Sequence, residues 1–428
     1  MARRPVLRWA KLAAAGVAAL GVTALGVTTG AWGESLIDSH EFSGSVTLEN
    51  RWFPKKAANP EQKDFGVNLI AAPELYLESA DGTSLTLEGF YRYDSSDSVR
   101  SHADLRKAYL LFVGQIEDQE WELRLGVDRV FWGVAESRHL VDIVNQTDLV
   151  ENPSEEVKLG QPMAHLTVSG DWGVAELFGL PYHRARTFPG RHGRLRSALV
   201  VDNDRVMYES GAEERHFDVA ARYSHSVGLF DVGLSVFDGT SREPYLQPPP
   251  PICFILDPRS CALVPLYEQI RQYGLDAQMT YEAWLLKLEA IRRAGARNAL
   301  GEEEDYTAFV AGGEYTIYSV FDTDMDLGLL AELNRDSRRM RATNIFQNDV
   351  FFAVRLAFND FASTDLLVGI LEDVDTRSRS FNAQFNRRLS DSLTLNVEAT
   401  FFHNIAADDA THATRRDNFV NIGLTYSF

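Results

Sequence analysis

The chain ends in 418-NFVNIGLTYSF-428, and the reading of those residues decides the fold. Counting back from Phe428, Tyr426, Leu424, Ile422 and Val420 fall on one face of an extended strand, and Ser427, Thr425, Gly423 and Asn421 on the other. The two faces of such a strand meet different solvents. The same period recurs along the chain. In FSGSVTLENRW, Phe42, Val46 and Leu48 oppose Ser43, Ser45, Thr47, Glu49 and Arg51. In SLTLEGFYRY, Leu85, Leu87, Tyr91 and Tyr93 oppose Thr86, Glu88 and Arg92. In EWELRLGVD, Trp121, Leu123, Leu125 and Val127 oppose Glu122, Arg124 and Asp128. HFDVAARYS, FDVGLSVF, AWLLKLEA, DVFFAVRLAF, FNAQFNRRL and LTLNVEATF alternate likewise.

Composition does not announce a membrane protein: the 428 residues are 24% charged, with a mean hydropathy of −0.20. Transmembrane barrels hide their apolar surface by alternation, so these values do not exclude one. A soluble two-sheet protein also alternates, and the connections decide between the two. Short connections rich in Asp, Gly and Ser (SADGTS, QIEDQ, SGDWG, FDTD, NDFASTD, LSDS) take turns with long polar ones. The long ones are PKKAANPEQKD, DSSDSVRSHA, Gly133 to Pro162, Pro181 to Glu213, the segment around the cysteines, and HNIAADDATHATRRD. Strict alternation of this kind predicts an all-β transmembrane antiparallel barrel with short periplasmic turns and long extracellular loops. Pairing the segments gives about eighteen strands, with sixteen as the alternative if AHLTVSG and WGVAELFGL do not form a pair.

The start of the chain predicts export. Arg3, Arg4, Arg8 and Lys11 precede an apolar stretch from Leu12 to about Val27, and Ala31 and Gly33 occupy the small-residue positions of a signal-peptidase site. The expected organisation is a signal peptide over 1–33 and a barrel over 34–428; the alternative is an N-terminal membrane anchor. Cleavage removes four cations and takes the net charge from −19 to −23, which makes nucleic acid an unsuitable partner. The two cysteines, Cys253 and Cys261, stand in PPPPICFILDPRSCALVP, a proline-rich stretch expected to form neither helix nor ladder strand. In an oxidising compartment they would close a small loop; a metal site is disfavoured by the lack of nearby histidine, and no metal or other cofactor is expected.

The last eight residues resemble the terminal assembly signal of bacterial outer-membrane barrels, through Asn421, Gly423, Tyr426 and Phe428. The resemblance implies recognition by the barrel-assembly machinery, and terminal aromatics also suit a membrane interface. A second segment, LGVDRVFWGVAESRHLVDIVNQTDL, is similar to one found in porin-like single-chain barrels related to alginate-export channels, through Gly126, Trp132, Gly133, Asp142, Asn145 and Asp148. Gln146 stands where that pattern has a proline. The resemblance implies a loop folded back towards the pore, formed by Trp132, Gly133, Asp142, Asn145 and Asp148, with Trp132 and Gly133 marking where the strand ends.

If Leu125 and Phe428 face lipid, the lumen receives Arg51, Arg92, Arg106, Arg124, Arg222, Arg355 and Arg388 together with Glu49, Glu88, Glu122, Asp128, Asp218, Glu289, Glu314 and Glu398. So many inward charges require water or pairing. As a set they would select small polar or anionic solutes; singly, they would merely pair and stiffen the wall. The basic run YHRARTFPGRHGRLR, with Arg184, Arg186, Arg191, Arg194 and Arg196, would attract anions, grip lipopolysaccharide phosphates, or stay solvated. DSSDS and NPSEEV lack the ordered oxygen spacing of a calcium loop. An enzyme is not expected: His225 with Ser226, and His403, lack any accompanying nucleophile elbow or zinc-protease pattern. A plugged, energy-coupled receptor is not expected, because no plug-sized segment is read ahead of the first strand near Glu41. The expected protein is an outer-membrane channel for passive diffusion of small hydrophilic solutes, surrounded by outer-membrane lipid and lipopolysaccharide. An export conduit for an acidic polysaccharide and a loop-plugged structural or adhesin barrel are the alternatives, and the oligomeric state is left open.

Overall fold

The computed structural model describes residues 37–257 and 261–428. The predicted signal peptide lies outside them. The wall begins with β1 (Ser39–Trp52), β2 (Phe65–Glu78), β3 (Ser84–Asp94), β4 (His102–Ile116), β5 (Gln119–Asp128), β6 (Gln161–Gly170) and β7 (Gly173–Leu180). Two short strands, β8 (Val200–Val201) and β9 (Met207–Tyr208), interrupt it before β10 (Asp218–Val227) and β11 (Phe230–Thr240). The next loop holds β12 (Tyr245–Gln247), one helical turn α1 (Cys253–Leu256) and β13 (Ala262–Tyr267). The wall then runs through β14 (Gln269–Tyr281), β15 (Trp284–Ala294), β16 (Tyr306–Ile317), β17 (Asp326–Asp336) and β18 (Asn348–Ala357). It finishes with β19 (Asp365–Asp373), β20 (Arg379–Ser390), β21 (Leu393–His403) and β22 (Phe419–Ser427).

Each wall strand pairs antiparallel with its neighbours in sequence order, and β22 pairs with β1, so eighteen strands close a barrel without an edge. The chain terminus makes the seam. Phe428 exchanges two backbone hydrogen bonds of 3.0 Å with Gly44, and its ring lies 5.7 Å from that of Phe42. The alternation predicted from the sequence orients the side chains: Phe42, Leu48, Trp52, Phe65, Tyr91, Leu125 and Phe352 are exposed on the outside, while Glu49, Arg51, Asn68, Arg92 and Asp128 are buried within. At Gly126, φ is +141° and a Cβ would stand 2.2 Å from the Ala108 carbonyl oxygen, so this position on β5 requires glycine.

Three local expectations need correction. The length alternation is not strict: the five residues 374–378 join β19 to β20 on the long-loop end, because Asp373 accepts the Asp375 and Thr376 N–H groups and closes a tight turn. The proline-rich cysteine segment does hold regular structure. The prolines Pro248 to Pro251 all precede Ile252, the N-cap of α1, so none of them interrupts the helical turn; Pro265 sits in β13, opposite Leu246. Finally, β5 ends at Asp128, before Trp132, because Asn145 takes over the backbone bonds there. Cys253 and Cys261 are bonded, with Cα atoms 5.7 Å apart.

One irregularity matters for the lumen. Register shifts between β3 and β4, with Glu88 opposite Lys107 and Gly89 opposite Leu105. Arg106 is the extra residue of this bulge. As a result two consecutive cations reach lumen carboxylates, Arg106 at 2.6 Å from Asp148 and Lys107 at 2.8 Å from Glu88.

Candidate functional site

The connection 129–160 does not stay outside the barrel. Asn145 ties its two ends together: its Nδ2 donates to the Asp128 and Leu159 carbonyls at 2.9 Å each, and its Oδ1 accepts from the Val130 N–H at 3.0 Å. Asp142 accepts weakly from the Trp132 N–H at 3.4 Å and pairs with Lys158 at 3.1 Å. Asp148 receives Arg106 and the Thr187 hydroxyl at 2.7 Å. Burial would raise the pKa of Asp148, but His102, Arg106 and Thr187 outweigh it and hold the carboxyl well below its usual range.

Across the lumen the loop hangs on two wall carboxylates. Glu289 of β15 accepts the Val134, Ala135 and Val141 N–H groups at 2.7, 2.9 and 3.2 Å. Glu332 of β17 accepts the Glu136 and Ser137 N–H groups at 2.8 and 2.7 Å and the Ser137 hydroxyl at 2.6 Å. Gly133, at φ +140°, lets the chain pass where a Cβ would lie 2.9 Å from Glu289 Oε1. Beyond it, Glu136 meets Arg355 of β18 at 3.0 Å. Burial opposes charge on His139, yet the neighbouring Glu289 carboxylate raises its pKa above the ordinary imidazole value.

Behind the loop is a buried apolar cluster. Trp132, Leu140, Val141, Ile143 and Val144 pack against inward residues of the wall, including Met163, Phe178, Phe237, Ile270, Ile291 and Tyr306. In front of it, a chamber of about 230 Å³ remains between the loop and the far wall. Arg138, Lys158, Arg186, Arg242 and Arg293 line one side; Phe351, Leu367, Leu371, Asn382, Gln384 and Glu398 line the other. An outer vestibule of about 490 Å³ shares Ser154, Glu155, Arg186, Glu243 and Phe346 with the chamber. At this junction Glu243 is flanked by Arg293 at 3.2 Å and Arg138 at 3.5 Å. Burial would raise its pKa, but Arg293, Arg138 and Arg186 hold it well below the usual carboxylate range.

Of the ten residues expected to line the pore, Glu398 borders this chamber, with Arg51 beside it across the β1–β22 seam. Arg92 is buried between Glu49 at 2.8 Å and Glu151 at 2.7 Å. Arg106 is buried on Asp148. Arg124 lies 3.6 Å from Asp128, which caps the Arg129 N–H at 2.8 Å. Arg222 lies under the loop, 2.6 Å from Asp276 and 5.6 Å from the centre of the Trp132 ring. Arg355 bridges Glu136 to Glu314. Arg388 reaches out to the Phe361 carbonyl in the turn between β18 and β19. Sequence reading missed Glu332, Glu243, Arg138 and Arg293; their inward parity or loop position was visible, but their convergence is long-range.

The basic run is structural in part. Arg194 is buried between Asp417 at 2.7 Å and Asp64 at 2.6 Å, tying three loops together, and Arg184 holds Asp104 at 2.7 Å. His102, Asp148 and Glu151 form the one His-carboxylate cluster of metal-binding dimensions among the described residues. Arg92 and Arg106 already occupy its carboxylates, which opposes a dication there.

No family model matches this sequence, and no curated protein sequence is similar to it. Solved structures are similar in fold. Pseudomonas aeruginosa OccK9 (OpdG) matches at 13% identity with a TM-score of 0.51, over 92% of this chain and 100% of that one. Vibrio cholerae OmpT matches at 10% identity and a TM-score of 0.43, over 91% and 99%. A mutant of the Rh. blastica porin matches at 10% and 0.42, over 91% and 100%. The closed eighteen-strand barrel thus shares its fold with OccK9.

Proposed function

We propose that the protein is an outer-membrane channel for passive diffusion of small hydrophilic solutes, anions among them. One observation carries the reading: the vestibule and the chamber share lining residues, so polar space continues from the vestibule into the barrel in front of the loop. Three arginines surround one carboxylate at their junction, which favours anions there. In this reading residues 1–33 direct export, and Asn421, Gly423, Tyr426 and Phe428 present the barrel to the assembly machinery. Single-channel conductance of the refolded protein in a planar bilayer under a salt gradient tests it. Ohmic openings with anion preference support the channel, and insertion without conductance sinks it.

A loop-plugged barrel is the second reading, supported by the six hydrogen bonds that hang the loop on Glu289 and Glu332. The alginate-export resemblance supports an exporter only through the segment around Trp132. Neighbouring polymerase and secretion genes would favour that version over the diffusion channel.

A further inference from the structure

The outer wall carries a feature that diffusion through the lumen does not use. Over β5, β6, β7, β10 and β11 a groove of about 460 Å³ opens outward, lined by Leu123, Leu166, Leu177, Val219 and Val236 and floored by small residues such as Ala164, Gly179 and Ala221. Two cross-strand rows run through it. One passes from Leu125 through Ala164, Gly179, Val219 and Asp238 to Arg271 on β14. The other passes from Leu123 through Leu166, Leu177, Ala221, Val236 and Tyr273 to Arg292 on β15. Barrel strands tilt by roughly 35–45°, so such rows climb around the wall rather than circling it at one height. The groove and the arginines therefore belong to one oblique surface.

Parity makes these arginines unusual. Arg271 ends an outward row of Met279, Ala277, Leu275 and Tyr273. Arg292 ends Trp284, Leu286, Leu288 and Ala290. On β17, Arg335 ends Leu327, Leu329, Ala331 and Leu333, and is exposed. Each is a guanidinium placed at the long-loop end of a lipid-facing row, at the level of headgroups. Arg271 and Arg292 are 58% and 60% exposed, and their partners are the outward carboxylates of Asp238 and Asp305. Exposed pairs of this kind are worth roughly 0–1 kcal/mol, so a phosphate can exchange with them. On β1, β2 and β3 and just before β10 the corresponding outward residues are Trp52, Phe65, Tyr93 and Phe217, aromatic and uncharged, whereas on β20 Arg379 is a further outward cation, held by Glu372 at 2.9 Å.

We infer that this sector is a lipid site: an acyl chain of an outer-leaflet lipid lies in the groove and its phosphate is held by Arg271 and Arg292. Guanidinium matches phosphate geometry through paired N–H donors, and the groove offers an acyl chain close van der Waals contact on several sides. The inference rests on the outer-membrane reading above, and its test is separable from conductance.

The test uses the full barrel in detergent, with lipopolysaccharide as the probe and native mass spectrometry with titration as the readout. The expected result is that R271Q/R292Q weakens lipopolysaccharide binding roughly tenfold, as does A221F in the groove. Dephosphorylated lipopolysaccharide should then bind the wild type and R271Q/R292Q alike. Wild-type affinity in both variants overturns the site, as does a wild-type dimer or trimer that A221F converts to monomer, since the groove would then hold a second barrel. All variants should refold and conduct as wild type does. A protein that binds lipid but never conducts overturns the channel and leaves the lipid site standing.

Discussion

The inner wall has two unlike regions. From β6 to β16 the inward residues lie under the loop and include Met163, Phe178, Phe237, Ile270 and Ile291, with charges such as Arg222 and Glu289 buried in pairs or on backbone N–H groups. From β18 to β21 the inward residues border open space and are mixed, with Asn382, Gln384 and Glu398 beside Phe351, Leu367 and Leu371. Both regions obey the same alternation. Inward parity therefore does not mean wet: a segment from elsewhere in the chain turns half of the lumen into a protein core.

The largest expected effect comes from breaking the attachment that makes the two regions differ. Glu289→Ala strands three N–H groups of the loop, at about 1–3 kcal/mol for each unsatisfied buried group. Loop release should raise conductance and its noise and expose 129–160 to protease, with Glu332→Ala acting in the same direction. Unchanged conductance and protease resistance in both would remove the carboxylates from any role in holding the loop.

Next, deleting packed volume should separate the covered wall from the open one. Ile291→Ala should cost about 2–5 kcal/mol by leaving a cavity under the loop. Leu367→Ala, bordering the chamber, should cost clearly less. Equal losses in denaturant midpoint of the refolded barrels would erase the distinction between the regions.

A smaller effect concerns selectivity. Arg293→Gln leaves Glu243 with less cationic company at the junction, so the reversal potential should move towards cations by several millivolts, more than for Arg124→Gln. A larger shift from Arg124 would place the selective constriction on the β5 side of the wall.

The smallest effect is pH dependence. The folded pKa of His139 lies above its unfolded value of about 6.5. Its contribution to loop stability is thus complete below about pH 6.5 and is lost as pH rises through the raised folded value. Heat-denaturation midpoints of wild type and His139→Asn should converge as pH rises; midpoints that differ by a constant amount across the range would contradict this.

How much of this was legible in the sequence depends on range. Alternation in EWELRLGVD assigns Leu125 to lipid and Arg124 to the inside, because a pleated strand has no other choice. The turn chemistry in QIEDQ and LSDS marks the hairpin ends for the same local reason. Arg106 shows the limit: a bulge breaks the period, and its partner Asp148 is 42 residues away. Glu332 was no more distinctive in sequence than Glu314, since what separates them is the loop segment that arrives at one and not at the other.

By itself, then, the sequence determined a closed all-β barrel with lipid outside and charge inside, since strand faces are set by neighbours two residues apart. Only the tertiary structure decided which inward charges are buried, where the chamber lies, and that a groove on the outer wall shares its ladder rows with Arg271 and Arg292. Those outcomes depend on residues far apart in the chain, brought together by the ladder register and by a loop held on two carboxylates.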